Sequence, residues 1–142
     1  MSTKPEKTKV VLDTNIVVSA LIGKHGAPAK IFEKILLDKI ENYTSTEILA
    51  EMENVFNRKE ITERTSKEDR TFILSEFKTR SKILHPKTKI KAVIEDTDDD
   101  KFLEAALEAK VHYIISGDQH LTKLKTFRGI HIVTPKEFIE RV

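Results

Sequence analysis

The stretch Lys9-Val10-Val11-Leu12-Asp13-Thr14-Asn15 constrains the fold more than any other. Val10, Val11 and Leu12 leave no polar face, so the strand they form must be covered on both sides. Strands of that kind belong to parallel sheets between helical layers. Ligands of such sheets bind beyond the carboxyl ends of the strands. Asp13 stands at that end. It is either the N-cap of a helix beginning near Ile16, a position that Asp, Thr and Asn all favour, or a functional group. The pattern recurs later. His112-Tyr113-Ile114-Ile115-Ser116 reads as a second buried strand, followed by Gly117-Asp118. Asp118 can likewise cap a short helix from Gln119 to Leu124 or act chemically.

Between these strands the spacing predicts helices and two weaker strands. Ile16 to Ile22 is a short helix stopped by Gly23, and Pro28 suits the first position of the next, which carries Ile31, Phe32, Ile35, Leu36 and Leu37. Ile40 to Thr44 is a weak strand. Ser45 is an N-cap for a helix presenting Ile48, Leu49, Met52, Val55 and Phe56. Glu51 and Glu53 flank opposite edges of that face, and periodicity does not choose between them. A helix follows from about Ser66 to Phe77, then a short strand at Ile83-Leu84 and a loop from Lys87 to Glu95.

Thr97 opens the next helix. Its apolar stripe, Phe102, Leu103 and Ala106, extends backwards to Asp99. Asp96, Asp98 and Asp100 read as first-turn acids favoured by the helix dipole. Asp99 points along the buried face, and a buried carboxylate needs a partner. Gly129 leads into a last strand, Ile130 to Val133, and Thr134-Pro135 starts the final helix. The alternation β-α-α-β-α-α-β-α-β-α-β-α, with right-handed crossovers, gives a parallel sheet sandwiched by helices. Residues 1–8 are expected to be a flexible segment and residues 9–142 one domain.

Composition removes several chemistries. There is no cysteine, which excludes disulfides, thiolate catalysis and cysteine-ligated zinc. The five histidines, at 25, 85, 112, 120 and 131, show no paired spacing of a zinc helix, so no histidine is expected at a metal site. No secretory signal or membrane span is expected, and a reducing, cytoplasmic setting suits the chain. The formal charge is only +2, but the charges are sorted. Lys78, Arg80, Lys82, Lys87, Lys89 and Lys91 fall in one stretch without an acid, and Glu95, Asp96, Asp98, Asp99 and Asp100 in the next. The basic run is either a solvated face or a phosphate-facing surface.

Four acids stand where a parallel sheet can bring them to one edge: Asp13, Glu51, Asp99 and Asp118. Carboxylates gathered in one pocket repel unless protons or cations compensate. A hard divalent cation, Mg²⁺ or Mn²⁺, takes oxygen ligands and fits that requirement. It can activate water and stabilise charge on a phosphoryl group. The residues therefore indicate a metal-dependent phosphodiester or phosphate hydrolase. Other motifs fail. Asp96-Thr97-Asp98-Asp99-Asp100 begins like a calcium loop, but Lys101 replaces the glycine and Leu107 the closing glutamate. There is neither a phosphate-binding glycine loop nor a nucleophile elbow.

The segments Val11-Leu12-Asp13-Thr14-Asn15, Ser45 through Glu51, Asp98 through Leu103 and Ile114 through Asp118 together resemble a PIN domain. The overall spacing and the ending Ile130 to Phe138 are similar to the VapC-like toxins of toxin–antitoxin systems. The resemblance implies a three-layer α/β/α sandwich with a parallel, about five-stranded sheet. It implies a Mg²⁺- or Mn²⁺-dependent endoribonuclease, and a homodimer held inactive by a cognate antitoxin. Carried over by position, Asp13, Glu51, Asp99 and Asp118 match the acidic quartet as catalytic and metal-holding residues. Glu51 rather than Glu53 is selected by its distance from Ser45. Asn15 and Ser116 match supporting polar positions, and Asp98 or Asp100 can exchange with Asp99 on a one-residue shift. RNA is the implied substrate, with Lys82, Lys87, Lys89 and Lys91 as the expected phosphate contacts. The alternatives are a catalytically silent RNA- or protein-binding module, an RNA-processing nuclease outside toxin–antitoxin systems, and a phosphatase of small substrates.

Overall fold

The computed structural model describes residues 6–87, 89 and 99–142. Its centre is β1, Thr8–Leu12, whose Val10, Val11 and Leu12 are all buried. Burial of consecutive residues means that both faces are covered, as the unbroken apolar run demands. Asp13 caps α1, Thr14–Gly23, and Lys24 closes that helix in the left-handed conformation, φ 58°. Gly23 thus lies inside the helix it was expected to stop, and Lys24 takes the terminating conformation. Gly26, φ 89°, admits α2, Ala27–Leu36, with Pro28 in its first turn. Next come β2, Ile40–Ser45, and α3, Thr46–Phe56, with Ser45 capping the latter through Ile48 N–H at 3.2 Å.

A four-residue helix, α4 (Lys59–Thr62), was not expected, since one turn carries no readable period. Ser66 caps α5, Lys67–Arg80, which runs directly into β3, Ser81–Leu84. That helix is longer than expected, because its last turn is polar and carries no apolar signal. After it come α6, Asp100–Ala109, β4, Tyr113–Ile115, and α7, Gln119–Thr122. A two-residue strand, β5 (Thr126–Phe127), precedes β6, Ile130–Val133, and α8, Pro135–Arg141, ends the chain. Thr134 and Glu137 form a reciprocal capping box at the start of α8. The expected capping role of Thr97 lies outside the described residues, as do Asp96 and Asp98.

The sheet order is β3-β2-β1-β4-β6-β5. Its first five strands are mutually parallel, and β5 adds an antiparallel edge. In register, Val11 of β1 lies between Tyr43 of β2 and Ile114 of β4. Helix α6 packs across β1, β2 and β4, while α1, α2, α5 and α8 pack on one another. The result is an α/β/α sandwich with a mostly parallel sheet, and the core runs through both interfaces from Val10 and Ile114 to Phe77, Phe102 and Phe138. No helix among the described residues is long and apolar enough to cross a membrane.

One feature of this order positions the site. From β1 the chain winds outward through β2 and β3, then returns to β4 on the other flank. The order reverses between β1 and β4, and open α/β sheets bind ligands in the crevice at such a reversal. Asp13 N–H donates to the Ile115 carbonyl at 2.9 Å, so the carboxyl ends of β1 and β4 meet there.

Candidate metal centre

Asp13 leaves the end of β1 and is only 4% exposed. One carboxylate oxygen accepts the Asn15 backbone N–H at 3.2 Å, and the other accepts the Ser116 hydroxyl at 2.7 Å. It is therefore both a helix cap and a member of the crevice. Burial raises its pKa above the usual carboxylate value. The bonds from Ser116 and Asn15 oppose that rise, and the charges of Glu51 and Asp118 add to it.

The end of β4 is built in the same way. Ser116 is fully buried, and its N–H donates to the Val133 carbonyl of β6 at 2.9 Å. Its hydroxyl donates to Asp13 and accepts the Asp118 N–H at 2.9 Å. Asp118 accepts the His120 N–H at 2.8 Å and so caps α7. Its side chain keeps 26% exposure, and His120 Nδ1 lies 3.6 Å from its Oδ1.

Asp99 stands at the N-cap position of α6, with helical backbone angles and 6% exposure. Asp99, Asp118 and His120 each offer a ligand atom, and these atoms lie within 4.8 Å of one another. Two carboxylates and an imidazole at that separation form a donor set that a divalent metal ion accepts. The expectation that no histidine stands near the acids is therefore corrected. His120 follows Asp118 by two residues, and the one-turn-wide cap of α7 folds it back onto the acid.

Glu51 of α3 approaches from the other side. Its Oε1 accepts the Thr14 hydroxyl at 2.6 Å, and its Oε2 lies 2.5 Å from Lys101 Nζ. Glu53 turns away to pair with Lys78. Thr14 and Lys101 are thus two site residues that sequence reasoning passed over. Thr14 follows the key acid directly, and Lys101 is two residues beyond Asp99, so adjacency to the acids was the available signal. Asp100 and Glu104 of α6 are also buried.

The supporting and basic residues divide. Ser116 lies in the centre of the hydrogen-bond chain. Asn15 contributes its backbone N–H, while the residue itself is exposed. Lys82 pairs with Glu41, and Lys89 lies 2.6 Å from Glu47 and 3.8 Å from Glu104. Lys87 is exposed, and Lys91 lies outside the described residues.

A family model described as PIN domain matches residues 9–120. Uncharacterized protein MJ1680 of Methanocaldococcus jannaschii is 41% identical in an alignment of 143 positions that covers 94% of this chain and 91% of that protein. The crystal structure of PAE2754 from Pyrobaculum aerophilum superposes with a TM-score of 0.62 at 11% identity, covering 94% of this chain and 88% of that one. VapBC2 from Rickettsia felis, bound to a DNA fragment from its promoter, superposes with a TM-score of 0.59 at 17% identity, covering 89% and 98%. At such identities the two solved structures share the fold with this chain.

Proposed function

The chain belongs to the PIN-domain family, and on that premise we propose that it is a metal-dependent endoribonuclease, the toxin of a toxin–antitoxin pair. The observation that carries the reading is the convergence of Asp99, Asp118 and His120 beside buried Asp13 at the sheet reversal. The carboxylates of the donor set fit Mg²⁺ or Mn²⁺, while the imidazole is a ligand that softer divalent ions such as Fe²⁺ or Zn²⁺ take more readily. Asp99 and Asp118 would hold the ion, with Asp13 and His120 completing the shell. When bound, such an ion supplies Lewis-acid stabilisation of the phosphoryl group and a more acidic water.

The protein's own groups do the positioning. Ser116 fixes Asp13 and the Asp118 backbone with one hydroxyl, so two carboxylates share one rigid support. Thr14 and Lys101 hold Glu51 by both oxygens, at a place where it can orient a water toward a phosphodiester. Asp118 and His120 form the solvent-facing side of the centre, through which a strand can reach it. The VapBC2 likeness supports a cognate antitoxin as partner, and we extend the reading to a homodimer acting on RNA in the cytoplasm. A small phosphomonoester and a mixed single-stranded RNA pool, offered in Mn²⁺, Mg²⁺ and EDTA, test the substrate class. Cleavage of the RNA alone, and only with metal, is expected. Hydrolysis of the phosphomonoester alone would replace the nuclease with a phosphatase. The toxin role predicts growth arrest on expression of the wild type but not of Asp118→Asn.

A further inference from the structure

An acidic centre repels the polyanion it is proposed to cut, so the strand needs cations beyond the acids. The two flanks of the centre differ in what they offer. On the β2–β3 flank, three lysines are matched by four acids: Lys78 with Glu53, Lys82 with Glu41, and Lys89 with Glu47 and Glu104. A phosphate at any of these three must compete with a carboxylate. On the β6 flank, residues 119–136 contain Lys123, Lys125, Arg128, Lys136, His120 and His131, and no acid.

This second flank contains a cleft of about 620 Å³ between α7, β5–β6 and the end of α8. Lys123, Lys125, His131 and Arg141 lie on its walls, and Glu137 is the one acid among the described lining residues. Glu137 caps α8 by accepting the Thr134 N–H at 3.0 Å and pairs with Arg141 at 3.9 Å, so this flank differs from the other in keeping more cations than acids. Polar Gln119 and Thr122 complete the side nearest the acids. One short helix and one strand-to-strand bond link the cleft to the centre. Gln119 and Thr122 belong to the helix that Asp118 caps. Val133, on the cleft wall, accepts the Ser116 N–H at 2.9 Å, and Ser116 holds Asp13 at 2.7 Å.

We propose that this cleft seats the phosphates of the single-stranded RNA next to the scissile bond, with Lys125 and Arg141 as its principal cations. The proposal rests on the ribonuclease reading for its substrate, and its test separates the two. Binding of a fluorescein-labelled single-stranded oligoribonucleotide is measured in EDTA across a salt series, and cleavage of the same strand is measured in Mn²⁺. The proteins are the wild type, Lys125→Gln/Arg141→Gln and Lys82→Gln/Lys89→Gln, each with its melting temperature recorded. Two lost phosphate contacts reduce the salt slope by about 1.4 and weaken binding about 25-fold near 0.1 M salt. The cleft pair is expected to show both effects and the Lys82/Lys89 pair neither. In Mn²⁺, the cleft pair raises KM and leaves kcat unchanged. Wild-type affinity and slope in a folded cleft pair overturn the proposal, even if the wild type cleaves. Binding that depends on the cleft without any cleavage upholds the cleft and overturns the nuclease. Absence of binding by the wild type overturns the cleft.

Discussion

Asp13 and Asp118 occupy the same position twice: each follows a central strand, caps the next helix and touches Ser116. They differ in burial, 4% exposure for the whole of Asp13 against 26% for the side chain of Asp118. The helices they cap also differ: α1 is ten residues long and mostly apolar, and α7 is four residues long. One backbone device thus carries a buried acid that favours its proton and an open acid beside a histidine. The first suits a fixed anchor for a cation, the second a face that admits substrate.

Neutralising either acid is the most severe way to break this comparison. Asp13→Asn and Asp118→Asn keep a capping side chain, so both should fold. Each should lose at least about 3 kcal/mol of transition-state stabilisation, two orders of magnitude or more in cleavage rate. Retained activity in either would remove that acid from the centre. Next in size is the response to metal. Titrating Mn²⁺ into metal-free protein should raise the melting temperature, with about 2.7 kcal/mol gained at a hundred times the dissociation constant. Asp99→Asn should melt no lower than wild type in EDTA and should lose most of this gain. A large loss of stability without metal would make Asp99 structural.

Ser116→Ala sharpens the comparison, because it removes the support common to both acids. The loss of a buried hydroxyl that donates once and accepts once should cost about 1–3 kcal/mol in chemical denaturation. It should also push the Asp13 pKa higher, since the Ser116 bond is the main influence holding it down. The smallest effect is a slope. The folded protein binds the Asp13 proton more tightly than the unfolded chain does. As pH rises from the ordinary carboxylate value through the raised one, the folded state holds more protons, and stability falls. In EDTA, the wild type should therefore lose stability across that window while Asp13→Asn shows a flatter profile. Equal slopes would place the burial effect elsewhere.

The sequence discloses these features unevenly. β1 and β4 are legible because continuous apolar runs have one physical use, burial on both faces. The strand-end acids follow from that, and Asp99 follows from extending the stripe of α6. Glu51 came only from resemblance. Its neighbours Thr14 and Lys101 reach it from 37 and 50 residues away in sequence, and periodicity within one helix carries no such information. His120 was missed because isolated spacing rules address helices with two ligands, whereas here the ligand set is split between a cap and a distant helix. The pairing of the Lys78–Lys89 run escaped for the same reason, since its acids lie on other elements. β5 is too short to carry a pattern at all.

The acids gathered at the β1–β4 reversal are proposed to form a metal-dependent RNA-cleaving centre. Single-turnover cleavage of single-stranded RNA by wild type and Asp118→Asn, side by side in Mn²⁺ and in EDTA, tests it most directly. Cleavage is expected from the wild type in Mn²⁺ alone, and none from the variant in either condition. Cleavage that persists in EDTA, or in Asp118→Asn, would contradict it.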